Sequence, residues 1–272
     1  MTTPTANRPL ALVTGASSGI GYELARLFAG DGYDVIITAT GTNGDLDRTA
    51  DAVRSTGAEA IIVKADLTEY DGVEALAAAI AQVGRPLDAA ALNAGVDVGG
   101  YFVGQTDLAA EIKMIQLNCV SQVHLTKRLL PAMVERGAGK LLYTASISGT
   151  MPTPYEAVYG GTKAFLISFV ESVKEENKDS GVSFTLLLPG EVDTPFWHRA
   201  GMDTTELGMG EKAAPTKVAK EGYDAMVAGK DRIVSGKPGS KFIGRVVNNV
   251  LPDTVKAALH AGGAEPGSGL KD

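Results

Sequence analysis

Cysteine occurs once in the 272 residues, at Cys119. No intrachain disulfide can form, and the chain is expected in a reducing compartment, the cytoplasm. The lone thiol itself reads as a small buried apolar side chain. Histidine is almost as scarce, with three in all: His124, His198 and His260 lie far apart, without ligand-type spacing, so they read as structural or solvent-facing and no metal is expected. No run of about 18 apolar residues appears, which disfavours a spanning helix. The start, "MTTPTANRPLALVTG", has no basic segment followed by an apolar stretch and a cleavage site, which disfavours secretion. Basic charge is thin, 25 Lys and Arg against 32 Asp and Glu for a net charge of −7. With no Lys- or Arg-rich block, neither nucleic acid nor an anionic membrane surface is an expected partner.

Apolar content is ample, at 44%, and it is distributed as short runs alternating with longer stretches of helical period. The runs are "LALVT" 10–14, "DVIIT" 34–38, 58–66, 87–95, "GKLLYTAS" 139–146, "VSFTLLLPG" 182–190 and the weaker "RIV" 232–234. Helices are predicted near 19–29, 45–56, 69–83, 106–136, 156–178 and 215–228. Strands that are apolar throughout, without alternation, are buried on both faces, as in a parallel sheet flanked by helices on each side. No linker divides residues 8 to 234, so the expectation is an α/β fold: one doubly wound domain over 1–272 with about seven strands.

Two segments depart from the repeating unit. Residues 195–214 lack a strand pattern yet hold Phe196, Trp197, Met202, Leu207 and Met209, which reads as a mobile apolar loop beside a substrate. Residues 235–272 form a C-terminal extension. Its amphipathic stretch 241–251, with Phe242, Ile243, Val246, Val247, Val250 and Leu251 ahead of Pro252, reads as packing on the parent domain or on a sister subunit. The final "GGAEPGSGLKD" reads as a flexible tail.

The first apolar run ends in "TGASSGIG", Thr14 to Gly21, at a strand-to-helix junction. In an open parallel sheet, ligands settle beyond the carboxyl ends of the strands, and this turn borders that crevice. Gly15 permits a tight turn, Gly19 lets a bound group approach the backbone, and Gly21 brings the helix close to the sheet. Ser17 and Ser18 can cap the helix or meet phosphate oxygens. The N–H groups opening the helix, with Ile20 among them, make a pyrophosphate site.

The spacing G-x-x-x-G-x-G resembles the cofactor loop of the short-chain dehydrogenase/reductase family, and further matches follow in order over about residues 10–235. Asp66 and Leu67 in "ADLT" look like that family's adenine contact. Asn93, Ala94 and Gly95 look like its turn after the fourth strand. "PGEVDT" 189–194, with Pro189, Gly190, Val192 and Thr194, is similar to the segment that holds the nicotinamide carboxamide. The resemblance implies a Rossmann-type sheet, a bound nicotinamide dinucleotide, and an oxidoreductase that interconverts a secondary alcohol and a ketone by hydride transfer.

Tyr159 and Lys163 in "YGGTK" stand four apart on one face of a predicted helix. A phenol titrates near about 10, and an ammonium a few ångströms away favours the phenolate and lowers that value. Ser146, at the end of the strand "KLLYTAS", directs its hydroxyl at the same crevice. Asn118 lies inside the long helix among Ile115, Leu117, Val120 and Val123, as a satisfied buried amide or a kink. The resemblance assigns roles to these four. Tyr159 is general acid/base, Lys163 lowers its pKa and binds the nicotinamide ribose, Ser146 orients the substrate oxygen, and Asn118 supports a water-linked proton path.

At the end of the second strand Ala39, Thr40 and Gly41 offer no carboxylate to repel a 2′-phosphate, which leans towards NADP(H) over NAD(H). No arginine stands at that point, and Ser17, Thr40, Thr42, Asn43 or Arg48 can substitute. The candidate pocket walls are Val96, Val98, Ile147, Met151, Tyr155, Phe196, Trp197, Met202 and Leu207, with Arg199 the nearest cation. They fit an apolar ketone or alcohol of moderate size; steroid, aryl ketone, acyl thioester and cyclic ketone all remain open. The resemblance implies a homodimer or homotetramer associated through helices 106–136 and 156–178, where Gly160, Gly161, Ala164 and Phe165 read as outward-facing. Two rival readings are a catalytically silent dinucleotide-sensing or scaffolding protein and a methyltransferase. The intact Ser146, Tyr159 and Lys163 argue against both.

Overall fold

A computed structural model describes residues 8–40, 45–244 and 250–270. Seven parallel strands form one sheet in the order β3-β2-β1-β4-β5-β6-β7: β1 Leu10–Thr14, β2 Asp34–Ala39, β3 Ala60–Lys64, β4 Ala89–Leu92, β5 Gly139–Thr144, β6 Val182–Pro189 and β7 Arg232–Ser235. The chain winds outward from β1 in one direction, then returns to β4 and winds in the other. That reversal splits the carboxyl ends of β1 and β4 into a crevice.

Both faces of the sheet are covered, which is why the strands carry unbroken apolar runs. All five residues of β1 are buried, and alternate side chains feed different cores. Leu10 and Leu12 pack with α3 (Tyr70–Gln82), α5 (Ser121–Arg136) and α6 (Ala157–Glu176). Ala11 and Val13 pack with α1 (Gly19–Gly30), α2 (Asp45–Arg54) and α9 (Pro215–Val227).

The helix expected over 106–136 is divided. It comprises α4 (Leu108–Ile115), a π-turn at Gln116–Val120 and α5. The wider turn lets the Asn118 side chain leave the helix ladder and bond the backbone of Val96 in both directions, Val96 N–H to Oδ1 at 3.0 Å and Nδ2–H to Val96 O at 2.8 Å. The far end of α5 closes on Gly137, at φ +68°, whose N–H caps Met133 and Val134.

The segment 195–214, expected as a loop, carries two short helices, α7 (Phe196–Arg199) and α8 (Glu206–Met209). Trp197 Nε1 donates to Val192 O at 2.9 Å, and Met202 is fully buried with Ala200 and Ala264. The tail expected to be flexible is likewise folded in its described part, which ends at Leu270: after α10 (Pro238–Phe242), α11 (Asp253–Ala264) leads to a 3₁₀ turn at Ser268–Leu270. Gly269 N–H bonds Thr204 O and Ser268 Oγ accepts from Glu206 N–H. Those backbone partners and Ala264 in the Met202 cluster give the glycine-rich end a fixed seat. Of the amphipathic stretch 241–251, Val246 and Val247 lie outside the described residues. No helix among the described residues is long and apolar enough to cross a membrane.

Candidate active site

The crevice between β1 and β4 opens into a cavity of about 320 Å³. One end is backbone. Gly15 and Gly19 both lie in the left-handed region, at φ +65° and +57°, and a Cβ on either would meet Ala94 Cα at 2.9 Å or Thr194 Cγ2 at 2.8 Å. Gly21 has no room at all, its Cβ falling 2.2 Å from Gly15 O. Ser18 is the N-cap of α1 but makes no side-chain cap, so the helix presents its opening N–H groups at the crevice uncovered by side chain. Asn93 stitches three strand ends together: its N–H bonds Thr14 Oγ1 at 2.9 Å, its Nδ2 reaches Thr14 O at 3.2 Å, and its Oδ1 accepts from Thr144 Oγ1 at 3.0 Å.

The other end holds titratable groups. Ser146 caps the 3₁₀ turn Ile147–Thr150 and hydrogen-bonds the Tyr159 hydroxyl. Tyr159 and Lys163 sit one turn apart on α6, both buried. Lys163 Nζ donates to Thr144 O at 3.1 Å and lies 5.5 Å from the Tyr159 ring centroid. The electrostatics differ from the expectation that Lys163 lowers the phenol. Burial pushes Tyr159 above its ordinary value, negative charge at Asp97 and Glu156 pushes it further, and only the Ser146 hydrogen bond opposes. Burial brings the Lys163 ammonium down to about 8, against the pull of Cys119 and Asp97. Cys119 is buried beside Thr162, its thiol pushed up to about 11 by desolvation.

Of the residues predicted for the site, Gly15, Ser17, Ser18, Gly19, Ile20, Asn93, Ala94, Gly95, Ser146, Tyr159, Lys163, Pro189, Gly190, Val192 and Thr194 line the cavity. Asn118 stands behind Gly95, where a Cβ would meet both its Oδ1 and Lys163 Nζ at 3.2 Å. Gly21, Thr40, Asp66 and Leu67 lie outside the lining. Asp66 Oδ1 accepts from the Thr68 N–H and hydroxyl, a turn that closes the loop after β3. Thr42 and Asn43 lie outside the described residues, whereas Arg48 reaches the glycine loop, its Nη2 on Ser17 O at 3.4 Å and its guanidinium over the Tyr22 ring.

The substrate wall needs correction. Ile147, Met151, Phe196, Trp197, Leu207 and Arg199 line the cavity, but Val96, Val98, Tyr155 and Met202 do not. Met202 is spent in the cluster with Ala200 and Ala264, and Tyr155 packs edge-on against Tyr101. In their place stand Glu156, Glu191, Ile243 and, from α11, Lys256, Leu259 and His260. His260, expected to be structural or solvent-facing, thus belongs to the pocket, its Nε2 2.8 Å from Glu156 Oε2. The pattern of α11, which places positions 256, 259, 260 and 263 on one face, was the available signal.

Comparison with known proteins places these features in a wider set. The family model for short chain dehydrogenase matches residues 9–204. A ketoacyl reductase of Nostoc sp. is 32% identical over 182 residues, 66% of this chain and 62% of that protein. This chain therefore spans less than two thirds of that relative. A putative ketoacyl reductase of Streptomyces coelicolor is 33% identical over 196 residues, 71% of this chain and 74% of the relative. Among solved structures, a short-chain dehydrogenase from Sphingobium yanoikuyae in complex with NADPH superposes with a TM-score of 0.77 at 28% identity, covering 83% of this chain and 87% of that one. The helix that carries Lys256 and His260 lies beyond the segment the family model matches.

Proposed function

Because the chain belongs to the short-chain dehydrogenase family, we propose that it is an NAD(P)-dependent oxidoreductase that reduces a ketone to a secondary alcohol, with Tyr159 as the proton donor. The observation that carries the reading is the convergence of Ser146, Tyr159 and Lys163 on one cavity with the glycine cradle. The cradle fits a dinucleotide: its backbone is held open at positions where any Cβ would collide, and the start of α1 offers N–H donors and the positive end of the helix dipole to a pyrophosphate. Gly15, Ser17, Ser18, Gly19 and Ile20 would hold the phosphates, Asp66 and Leu67 the adenine end, and Asn93 to Gly95, Lys163 and Pro189 to Thr194 the nicotinamide end. When bound, that group supplies the hydride.

The chain's own residues handle the oxygen and the proton. The Ser146 and Tyr159 hydroxyls adjoin in the same cavity, where both would be donors to one carbonyl oxygen, and two donors there would stabilise the alkoxide character that develops. Tyr159 is held as a neutral phenol by burial, the form that gives up a proton to the product oxygen. Lys163, with one of its three N–H donors on Thr144 O, has donors left for a ribose hydroxyl. Asn118, bonded on both sides to Val96, fixes the loop beside Lys163 and bounds the space for a proton path.

Arg48 beside Ser17 O is the cation nearest the adenosine end, and with the carboxylate-free end of β2 it supports NADP(H). Ketoacyl reductases are among the relatives, and the aromatic and aliphatic wall of Phe196, Trp197, Leu207 and Leu259 suits an acyl or aryl ketone; α7 and α8 form its substrate loop. Val120 at the end of the π-turn and Phe165 on α6 are both exposed, with Gly161 open on α6. That face is where we place a homodimer or homotetramer contact. Gly160 is not part of it, since its Cβ would meet Thr153 Oγ1 at 2.1 Å inside the fold. The cytoplasmic placement that Cys119 suggests belongs to the same reading.

The test is Tyr159→Phe, assayed with NADPH against a carbonyl panel. Loss of one acid/base group is worth about 10²–10⁴ in rate; a variant as fast as the parent protein would overturn the role of Tyr159, and a parent that binds NADPH but turns over no carbonyl would favour the silent alternative.

A further inference from the structure

His260 comes to the cavity from α11 and has no part in the mechanism above. It lines the cavity together with Leu259, Phe196, Trp197 and Leu207. Its ring is anchored at one nitrogen only: Nε2 lies 2.8 Å from Glu156 Oε2, and the two side chains are 6% and 4% exposed. Nδ1 has no hydrogen-bond partner among the described residues. A buried polar atom without a partner costs free energy. Ligand pockets place a few such atoms in an apolar wall, where they orient what binds.

The fold holds both members of the pair in place. Tyr155, next to Glu156, is the one non-glycine residue at positive φ, +67°, among the described residues. A bulky side chain in that region is costly and persists only where the surroundings hold it. They do: Gly100 N–H bonds Tyr155 O at 2.8 Å, and Thr153 Oγ1 donates to Glu156 O at 3.0 Å. On the other side α11 is tied down near its end. Ala264 clusters with Met202, Glu265 accepts from the Tyr101 hydroxyl at 3.0 Å, and a Cβ on Gly263 would meet Leu207 Cγ at 3.3 Å. The ring is therefore preorganised, as the reading of one group at one place requires.

The pair also stands close to the reacting oxygen. Glu156 is the N-cap of α6 and Tyr159 is the third residue of that helix, about 4.5 Å further along the axis. We propose that His260 Nδ1 binds a hydroxyl group of the substrate, so that the enzyme favours hydroxyketones in which a few carbons separate the carbonyl at Tyr159 from the hydroxyl at His260. The inference rests on the reading of Tyr159 as the acid, which places the carbonyl. A hydroxyl fits because it both donates and accepts, and so meets Nδ1 in either tautomer of the ring. An alkyl end in its place would strand the nitrogen. A carboxylate on the substrate would bring a third acid to a cavity already lined by Glu156 and Glu191, and Lys256 on the same wall is engaged by Asp253 at 2.6 Å. His260 is thus a specificity-determining residue, and Glu156 is the positioning residue that holds its ring by Nε2.

The test uses the full chain and ketone pairs that exchange a terminal hydroxyl for a methyl: 4-hydroxy-2-butanone with 2-pentanone, 5-hydroxy-2-pentanone with 2-hexanone, and 6-hydroxy-2-hexanone with 2-heptanone. For each pair the ratio of kcat/KM with NADPH is compared between the parent protein and His260→Gln. The glutamine amide can keep the bond to Glu156 but has no atom at the place of Nδ1, so a merely structural His260 leaves the ratio where it was. At the chain length that fits, the preference for the hydroxyketone is expected to fall about five- to tenfold in His260→Gln, the worth of one uncharged hydrogen bond. Ratios unmoved at all three lengths overturn the proposal. Binding of the same pairs with NADP⁺ in place of NADPH, followed by ligand-observed NMR, gives the ratio without turnover. Should Tyr159→Phe reduce these ketones as fast as the parent, the role of Tyr159 fails, and the binding ratios still decide His260: equal ratios in the parent and His260→Gln overturn its part.

Discussion

Gly19→Ala is the sharpest probe of the cradle, because its cost divides into two parts that separate experimentally. Position 19 lies at φ +57°, and an L side chain in that region costs about 1–2 kcal/mol. The new Cβ also falls 2.8 Å from Thr194 Cγ2 and 3.3 Å from Thr194 Cβ. Overpacking of this kind adds about 1–3 kcal/mol unless the neighbour shifts. The sum, about 2–5 kcal/mol, lowers the melting temperature of a chain this long by about 5–10 °C. Thr194→Ser deletes Cγ2 and with it the shorter contact but leaves φ untouched. The double variant Gly19→Ala/Thr194→Ser is therefore more stable than additivity predicts, by about 1 kcal/mol or more in a double-mutant cycle. Urea unfolding followed by Trp197, the single tryptophan, measures each corner. NADPH titration of the same proteins gives weaker binding for Gly19→Ala, since the displaced loop is the phosphate end of the cavity. Additive stabilities across the cycle would refute the claim that Thr194 closes over Gly19. Unchanged NADPH affinity would refute the cradle.

Arg48→Ala removes the cation beside Ser17 O and is expected to weaken NADPH about tenfold or more while leaving NADH within about twofold, as one lost charge-assisted contact implies; thermal shifts with both cofactors measure the ratio. Phe165→Asp places a charge on the exposed face of α6, and light scattering is expected to show smaller assemblies with secondary structure intact. His260→Gln reports on acid stability. The folded-state pKa of His260 lies at about 4, below the ordinary value, so the unfolded chain takes up the proton first. The stability held above about pH 6.5 is lost as pH falls through that value towards about 4, by about 3 kcal/mol for this group. Relative to the parent, His260→Gln flattens that part of the urea midpoint profile; parallel profiles would show that His260 is not buried neutral.

The layout of the sheet, the glycine turn and the pairing of Tyr159 with Lys163 were legible in the sequence because each is a local pattern. Unbroken apolar runs signal strands covered on both faces, a glycine cluster signals backbone that must be approached, and spacing of four sets two side chains on one helix face. The split of the 106–136 helix was half legible. Asn118 among apolar neighbours marked an anomaly, but its cause, the backbone of Val96, is 22 residues away. The pocket wall was the part read least well. Met202 and Tyr155 have the apolar character of wall residues, and only packing shows that Ala200, Ala264 and Tyr101 occupy them.

What the sequence determined by itself is the succession of seven strands with the main helices between them and the residue types at the crevice, since periodicity and short-range spacing act within one or two turns of the chain. Tertiary structure alone decided the charge around Tyr159. Asp97, Glu156 and His260 are separated by up to 163 residues, and whether a buried carboxyl is charged depends on which groups the fold sets against it, a property of distance in space that no spacing along the chain encodes.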